Sequence, residues 1–208
     1  MKKTAIGCGA LLFVALLVVL AGMGSWNRLV RLRQGTDSAW AQVQNVYQRR
    51  ADLVPNLVAT VSGSANFEKS TLTEIVAARA SVGQVKLDAN TAPADAAKLA
   101  EFEKAQGALS SALSRLLVVS ERYPDLKASA GFLELQSQLE GAENRISVER
   151  ERFNTAVRSY DTAIKSFPAL LYAGAFGFAA KPYFAATPGA EKPPQVQFDF
   201  NKPAPAKP

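Results

Sequence analysis

The longest unbroken periodicity in the chain lies between residues 129 and 167, where Phe132, Leu139, Ile146, Phe153, Tyr160 and Phe167 recur at intervals of seven. Leu135, Ala142, Ala156 and Ala163 fill a second apolar column three residues further on, with Glu149 as its polar exception. Val157 and Ile164 widen the stripe. This spacing places the whole set on one face of a helix. At about 1.5 Å per residue that helix would be roughly 58 Å long, so its apolar face needs partners of similar length.

The preceding segments have the periodicity to supply them. From Asn27 to Val54, Leu29, Leu32, Trp40, Val43, Val46, Tyr47, Leu53 and Val54 fall at three- and four-residue spacings, predicting a first helix. Pro55 interrupts this pattern and predicts a sharp turn, the alternative being a kinked continuous helix, since the spacing resumes almost in phase at Leu57, Val58 and Val61. A second helix is expected from Asn56 to about Val82, with a polar, weakly helical middle, SGSANFEKS. Gly83, Asp88, Asn90 and Pro93 mark a loop. Asp95 can then start a third helix carrying Leu99, Phe102, Leu109, Leu113, Leu116 and Leu117, which Tyr123-Pro124-Asp125 ends. Four amphipathic helices with mostly short connections predict an all-α, antiparallel up-and-down four-helix bundle with long helices.

Before the bundle, residues 5–24 form an uncharged, almost wholly apolar run, long enough to cross about 30 Å of hydrocarbon as a helix. The reading is an N-terminal transmembrane anchor over 1–26, with a cleaved signal peptide as the alternative. Cys8 opens the apolar run instead of following it, which argues against a lipidated cysteine. Lys2 and Lys3 on one side balance Arg28, Arg31 and Arg33 on the other, so the flanking charge gives no orientation. Trp26 and these arginines suit the headgroup level. Residues 27–184 make the bundle. Its last stretch, 168–184, is strongly apolar but broken by Gly174, Gly177 and Pro182, so it reads as a strap over the bundle's open end. The other reading is an interfacial contact through Tyr172, Phe176, Phe178 and Phe184. Residues 185–208, rich in Pro and Lys, read as a disordered tail.

Composition narrows the chemistry. The 208 residues contain no His and one Cys, which excludes Ser-His-Asp and Cys-His catalysis, His-based zinc sites and a disulfide framework. No compact carboxylate motif suggests a metal and no glycine loop suggests a phosphate, so no cofactor is expected. The net charge of +6 is mild and the charges alternate in sign along the helices, which does not fit nucleic acid.

The blocks RRADLVPNLV, ALSRLLVVSERYPDLKA, LEGAENRISVERERFNTAVRSYDTAIKSFP and GFAAKPYF, with NRLVRLRQGTDSAWAQV after the anchor, closely resemble the LemA family of bacterial membrane proteins. The resemblance spans roughly residues 25–184. It implies a helical bundle tethered by one N-terminal helix in the bacterial cytoplasmic membrane, with the bundle placed by family descriptions in the cytoplasm. It also implies links to membrane-associated processes, including magnetosome formation, and no settled molecular activity.

Polar residues within these blocks are the candidates for function. Arg49, Arg50, Asp52, Pro55 and Asn56 form one group, and Glu140, Glu143, Asn144, Arg145, Glu149 and Arg150 another. Glu149 occupies a core column and is expected to meet Arg79 or Arg115 from another helix. The structural reading is an internal salt-bridge network fixing register; the functional one is a partner-docking site. The Pro55 and Tyr123-Pro124-Asp125 turns are expected together at the far end from the membrane, as a docking surface. The functional expectation is a non-catalytic, membrane-anchored interaction or scaffolding module. A self-assembling scaffold packed through Gly7, Gly9 and Ala10 is one alternative, and an enzyme using only carboxylate, Lys, Arg or Tyr chemistry is another. Lipid and a protein partner or second copy are the expected partners.

Overall fold

The computed structural model describes residues 2–63, 67–85 and 87–185, and side chains from Phe13 onward except at 14, 15 and 18. Among these residues every regular element is helical. Helix α1 runs Lys2–Ser62, α2 Lys69–Gln84, α3 Ala96–Ser120, the single turn α4 Pro124–Lys127, and α5 Ala130–Ile164; a 3-10 turn follows at Ala169–Leu171. The expected tail over 185–208 lies, apart from Ala185, outside the described residues.

The seam of α1 explains its length. Trp40, Val43, Tyr47, Val54, Leu57 and Val61 are all buried, and Arg50 occupies the position between Tyr47 and Val54. These positions alternate by three and four, the spacing of a core-facing stripe. Pro55 lies outside this stripe, exposed and inside the helix. The sharp turn expected there is therefore corrected: α1 continues for seven residues beyond the proline. A proline at 55 cannot donate to the carbonyl of Ala51. Arg79 Nε, from α2, donates to that carbonyl instead at 3.1 Å, so the freed acceptor is satisfied across the helix pair. The chain leaves helix at Ser62-Gly63, where poor helix formers follow one another; SGSANFEKS holds the break and not the middle of a helix.

The remaining boundaries follow local chemistry. Asp95 caps α3, its carboxylate accepting from Ala97 N at 2.8 Å, and Ser129 caps α5 through the N–H of Phe132 at 3.4 Å. Pro124 occupies the first turn of α4, where a missing N–H costs nothing. Along α5 Phe132, Leu139, Ile146, Phe153 and Tyr160 are buried as the heptad requires. Phe167 breaks the series: α5 ends at Ile164, and its ring is 82% exposed.

Three core clusters mark the levels of an elongated bundle. At the tip, Val61, Phe67, Leu116, Leu126 and Phe132 meet; at mid-height, Trp40, Phe102, Phe153 and Phe184; at the base, Leu29, Tyr160, Ile164, Ala169 and Phe178. Read through these levels, α1 runs from base to tip, α2 returns, α3 rises and α5 descends the full length. α2 and α3 are shorter and reach only from tip to mid-height. Residues 168–185, which include the strap, lie below them, with Phe178 in the base cluster and Phe184 against Trp40. Phe178 and Phe184, considered for membrane contact, are buried at the base and against Trp40.

The apolar run at 5–24 is helical and continuous with the bundle, but the side chains of residues 1–12, 14, 15 and 18 lie outside the described ones. Gly7, Cys8, Gly9 and Ala10, with the packing role considered for three of them, are among those. Among the described residues, no helix is long and apolar enough to cross a membrane.

Candidate functional site

The seam of α1 carries one charged residue into the core. Arg50 is 1% exposed, and its guanidinium joins three helices. Nη1 donates to Ser110 Oγ of α3 at 2.6 Å and to Glu143 Oε1 of α5 at 2.5 Å; Nη2 donates to the carbonyl of Gln106 at 3.2 Å and to its side-chain oxygen. Nε has no acceptor among the described residues. The cation also lies 5.2 Å from the centroid of the Tyr47 ring, a favourable face for a desolvated guanidinium. Such a group is stable only while these acceptors stay in place, since a buried cation without them costs several kcal/mol, on the order of 3–5.

Beside the node lies a cavity of about 490 Å³ between α1, α3 and α5, lined among others by Tyr47, Glu103, Lys104, Ser110, Glu143 and Arg150. Arg150 Nη2 bonds Glu103 at 2.7 Å and the carbonyl of Ala185 at 3.0 Å, and its guanidinium lies 4.6 Å from the Phe184 ring. Burial pushes the Glu103 carboxyl above its ordinary range, with Arg150 acting against it. Burial likewise raises the Tyr47 phenol, against the pull of Arg150 and Arg50. Both carboxylates are therefore tied to arginines, and the tyrosine holds its proton. Among the described residues no group of three or more His, Cys, Asp or Glu is placed to hold a metal ion. Chemically the arrangement is a set of polar bonds that joins three helices.

A second polar cluster fastens the strap. Lys181 is buried, with Nζ donating to the Ala92 carbonyl at 2.8 Å and 3.5 Å from Asp37 Oδ1. The same Asp37 oxygen accepts from Ala92 N at 2.9 Å, and Asp161 accepts from Lys181 N at 3.2 Å. Further along, Asn154 makes a two-way bond with the Phe184 backbone, at 2.9 and 3.0 Å. Asp161, Asn154 and Arg150 thus present polar groups from one face of α5 to successive strap peptides.

Several sequence candidates stand elsewhere. Arg49, Asp52, Asn56, Asn144 and Arg145 are exposed, and Glu140 accepts from Gln136 on its own helix at 3.0 Å. The cross-helix partner expected for Glu149 is corrected: Glu149 pairs with Arg152 one turn on, at 2.7 Å, and being only partly buried it needs no arginine from a neighbour. Arg115 instead bonds Glu74 at 2.8 Å, and Arg79 serves the Ala51 carbonyl. At the tip, a cavity of about 620 Å³ is lined by Thr60, Gly63, Arg122, Tyr123, Pro124 and Asp125, among others. Pro55 is not part of it; the end of α1 at Gly63 takes the place expected for it. At the base, Trp26 packs its ring 5.1 Å from Phe178 and 5.2 Å from Phe176, while Tyr172 donates to Ser25 Oγ at 2.8 Å. Phe176 remains 63% exposed, and Arg28, Arg31 and Arg33 are exposed above it.

Gln106, Ser110 and Glu103 were not singled out from the sequence, whereas Arg150 stood in the polar group of the last helix. Gln106 had a signal, since it stands in the apolar stripe of α3 between Phe102 and Leu109. Ser110 and Glu103 carry none, because exposed helix positions hold the same residue types.

Fold and site together define an all-helical bundle, elongated, strapped at its base and stapled internally by an arginine. The chain belongs to the LemA family, whose family model matches residues 39–198. Protein LemA of Metamycoplasma hominis is similar, 26% identical over 145 residues, covering 70% of this chain and 62% of that protein. Magnetosome protein MamQ of Magnetospirillum gryphiswaldense is 32% identical over 95 residues, 44% of this chain and 35% of that protein. Magnetosome protein MamQ 2 of Paramagnetospirillum magneticum is 24% identical over 207 residues, covering 88% and 75%. For the first two the match therefore spans less than two thirds of the relative's own length. The family and relative names carry no enzymatic function.

Proposed function

We propose that this protein is a non-catalytic, single-pass module of a bacterial membrane that presents a helical bundle for docking of a protein partner. The observation that carries this reading is the continuity of α1, which runs from the apolar stretch at 5–24 into the bundle core without leaving helix. A helix of about 20 apolar residues satisfies its own backbone in hydrocarbon and suits a membrane span. The relatives named for the magnetosome support a membrane setting. The docking surface is the tip, where Arg122, Pro124 and Asp125 border the cavity beside Gly63 and stand farthest from the anchor. Scaffolding fits a site whose polar residues are committed to holding helices together.

The test is the mass of the gently solubilised full-length particle and the identity of the proteins that come with it. A stoichiometric foreign protein is expected, lost when the exposed Asp125 is replaced (Asp125→Lys). A defined multiple of the chain alone, unaffected by that change, would replace docking with self-assembly. Turnover abolished by one Glu or Asp substitution would overturn the non-catalytic assignment.

A further inference from the structure

The base of the bundle carries an exposed apolar surface that the packing of the helices does not explain. Phe167, just before the strap, and Leu170, Leu171 and Phe176 on it are all exposed, although the strap is anchored by the buried Ala169, Ala173 and Phe178. The strap closes the bundle with Ala169, Ala173, Phe178 and Phe184, yet Leu170, Leu171 and Phe176, three large apolar side chains on the same segment, are left outside with Phe167 just before it. The position of this surface along α1 is fixed by contact. Phe176 shares a shallow cleft of about 440 Å³ with Gly22, Met23, Trp26 and Tyr172, and Tyr172 is bonded to Ser25. The first charged residue after the apolar run is Arg28, two residues beyond Trp26, about 3 Å along the axis. Phe176 and Tyr172 therefore pack beside the last turn of the apolar run, on the apolar side of that arginine, while the buried Ala169, Ala173 and Phe178 join Leu29 just beyond it.

From this we infer that the strap is a second membrane contact, inserting Leu170, Leu171 and Phe176 into the interfacial layer of the leaflet from which α1 emerges. The inference rests on the reading of 5–24 as a span, and follows from it geometrically: with Met23 in lipid, a side chain packed level with Met23 meets the same leaflet. Trp26 and Tyr172 then lie where amphipathic rings are favoured. Arg28, Arg31 and Arg33, which make no ion pair among the described residues, face the headgroups above, and the nearby Asp37 and Asp161 are turned inward to Lys181. The bundle is thus seated on the bilayer and not suspended from a single helix.

The test uses the full chain with Cys8→Ala, reconstituted in phosphatidylcholine vesicles containing phosphatidylglycerol. Nitroxide labels are attached in turn to Leu171→Cys, Leu17→Cys and Val118→Cys. Leu171 is 76% exposed and Val118, far from the base, 71%, so neither change disturbs the core. The measurement is collision with dissolved oxygen against collision with a water-soluble nickel complex. The expected result is an oxygen preference at Leu171 approaching that at Leu17, and a nickel preference at Val118. A nickel preference at Leu171 with an oxygen preference at Leu17 would overturn the strap contact and leave the span standing. A nickel preference at Leu17 would overturn the span, and the inference with it. Shielding of Leu171 from both reagents, with spin–spin broadening, would assign the surface to a second copy and reject lipid as its occupant.

Discussion

Arg50 occupies a seam position that six apolar neighbours define, and its surroundings decide what its loss should do. Replacing it by Ala removes the staple and leaves the oxygens of Gln106 without their donor. Glu143 is 45% exposed and regains water, so the partner's charge is not stranded. Arg50→Ala is expected to lower the unfolding free energy by about 3 kcal/mol. Glu143→Gln, which keeps an acceptor but removes the counter-charge, should cost about 1–2 kcal/mol. Denaturant titration of the solubilised chain measures both, and losses below about 0.5 kcal/mol for each would reduce the pair to an ordinary surface contact. The sequence made Arg50 visible as a charge in a conspicuous block but pointed to Glu149 as the polar residue in need of a partner. Periodicity reports which column a residue occupies; it does not report how deeply that column is covered at each level. Glu149 is only partly buried, and the exposed Arg152 three residues on reaches its carboxylate from the same helix.

At the scale of elements, the heptad of α5, the Asp95 start of α3 and the stop before Pro124 were all legible, because each is written in local chemistry. The path of α1 through Pro55 was not. A proline inside a helix costs roughly 3 kcal/mol, and the rescue comes from Arg79, a residue far along the chain that no local rule connects to Ala51. Pro55→Ala should therefore stabilise the chain by up to about 3 kcal/mol. Arg79→Ala should destabilise the wild type by about 1 kcal/mol and have far less effect in the Pro55→Ala background, where a backbone N–H serves the same carbonyl. A double-mutant cycle by thermal or denaturant unfolding reads this coupling. Additivity within about 0.3 kcal/mol would show that Arg79 does not compensate for the proline.

For the whole molecule, the three core clusters are strung along the same two helices, and α1 and α5 pass through all of them. No level can melt without disturbing a helix that the others need. Ile146 sits in the middle cluster, and Ile146→Asp, which buries a carboxylate there, should cost about 4 kcal/mol or more and abolish a single cooperative melt. An unchanged melt would refute the core assignment, and two separate transitions would refute the unity of the bundle. The absence of a joint in α1 also has a mechanical meaning. From Met23 to Ser62 the helix is a lever arm of about 58 Å. An anchor inclined by about 20°, a usual value for a membrane helix, would swing the tip sideways by roughly 20 Å. A strap bearing on the bilayer beside the pivot would act as the lever's foot, so that changes in membrane thickness or curvature at the base become displacement at the tip.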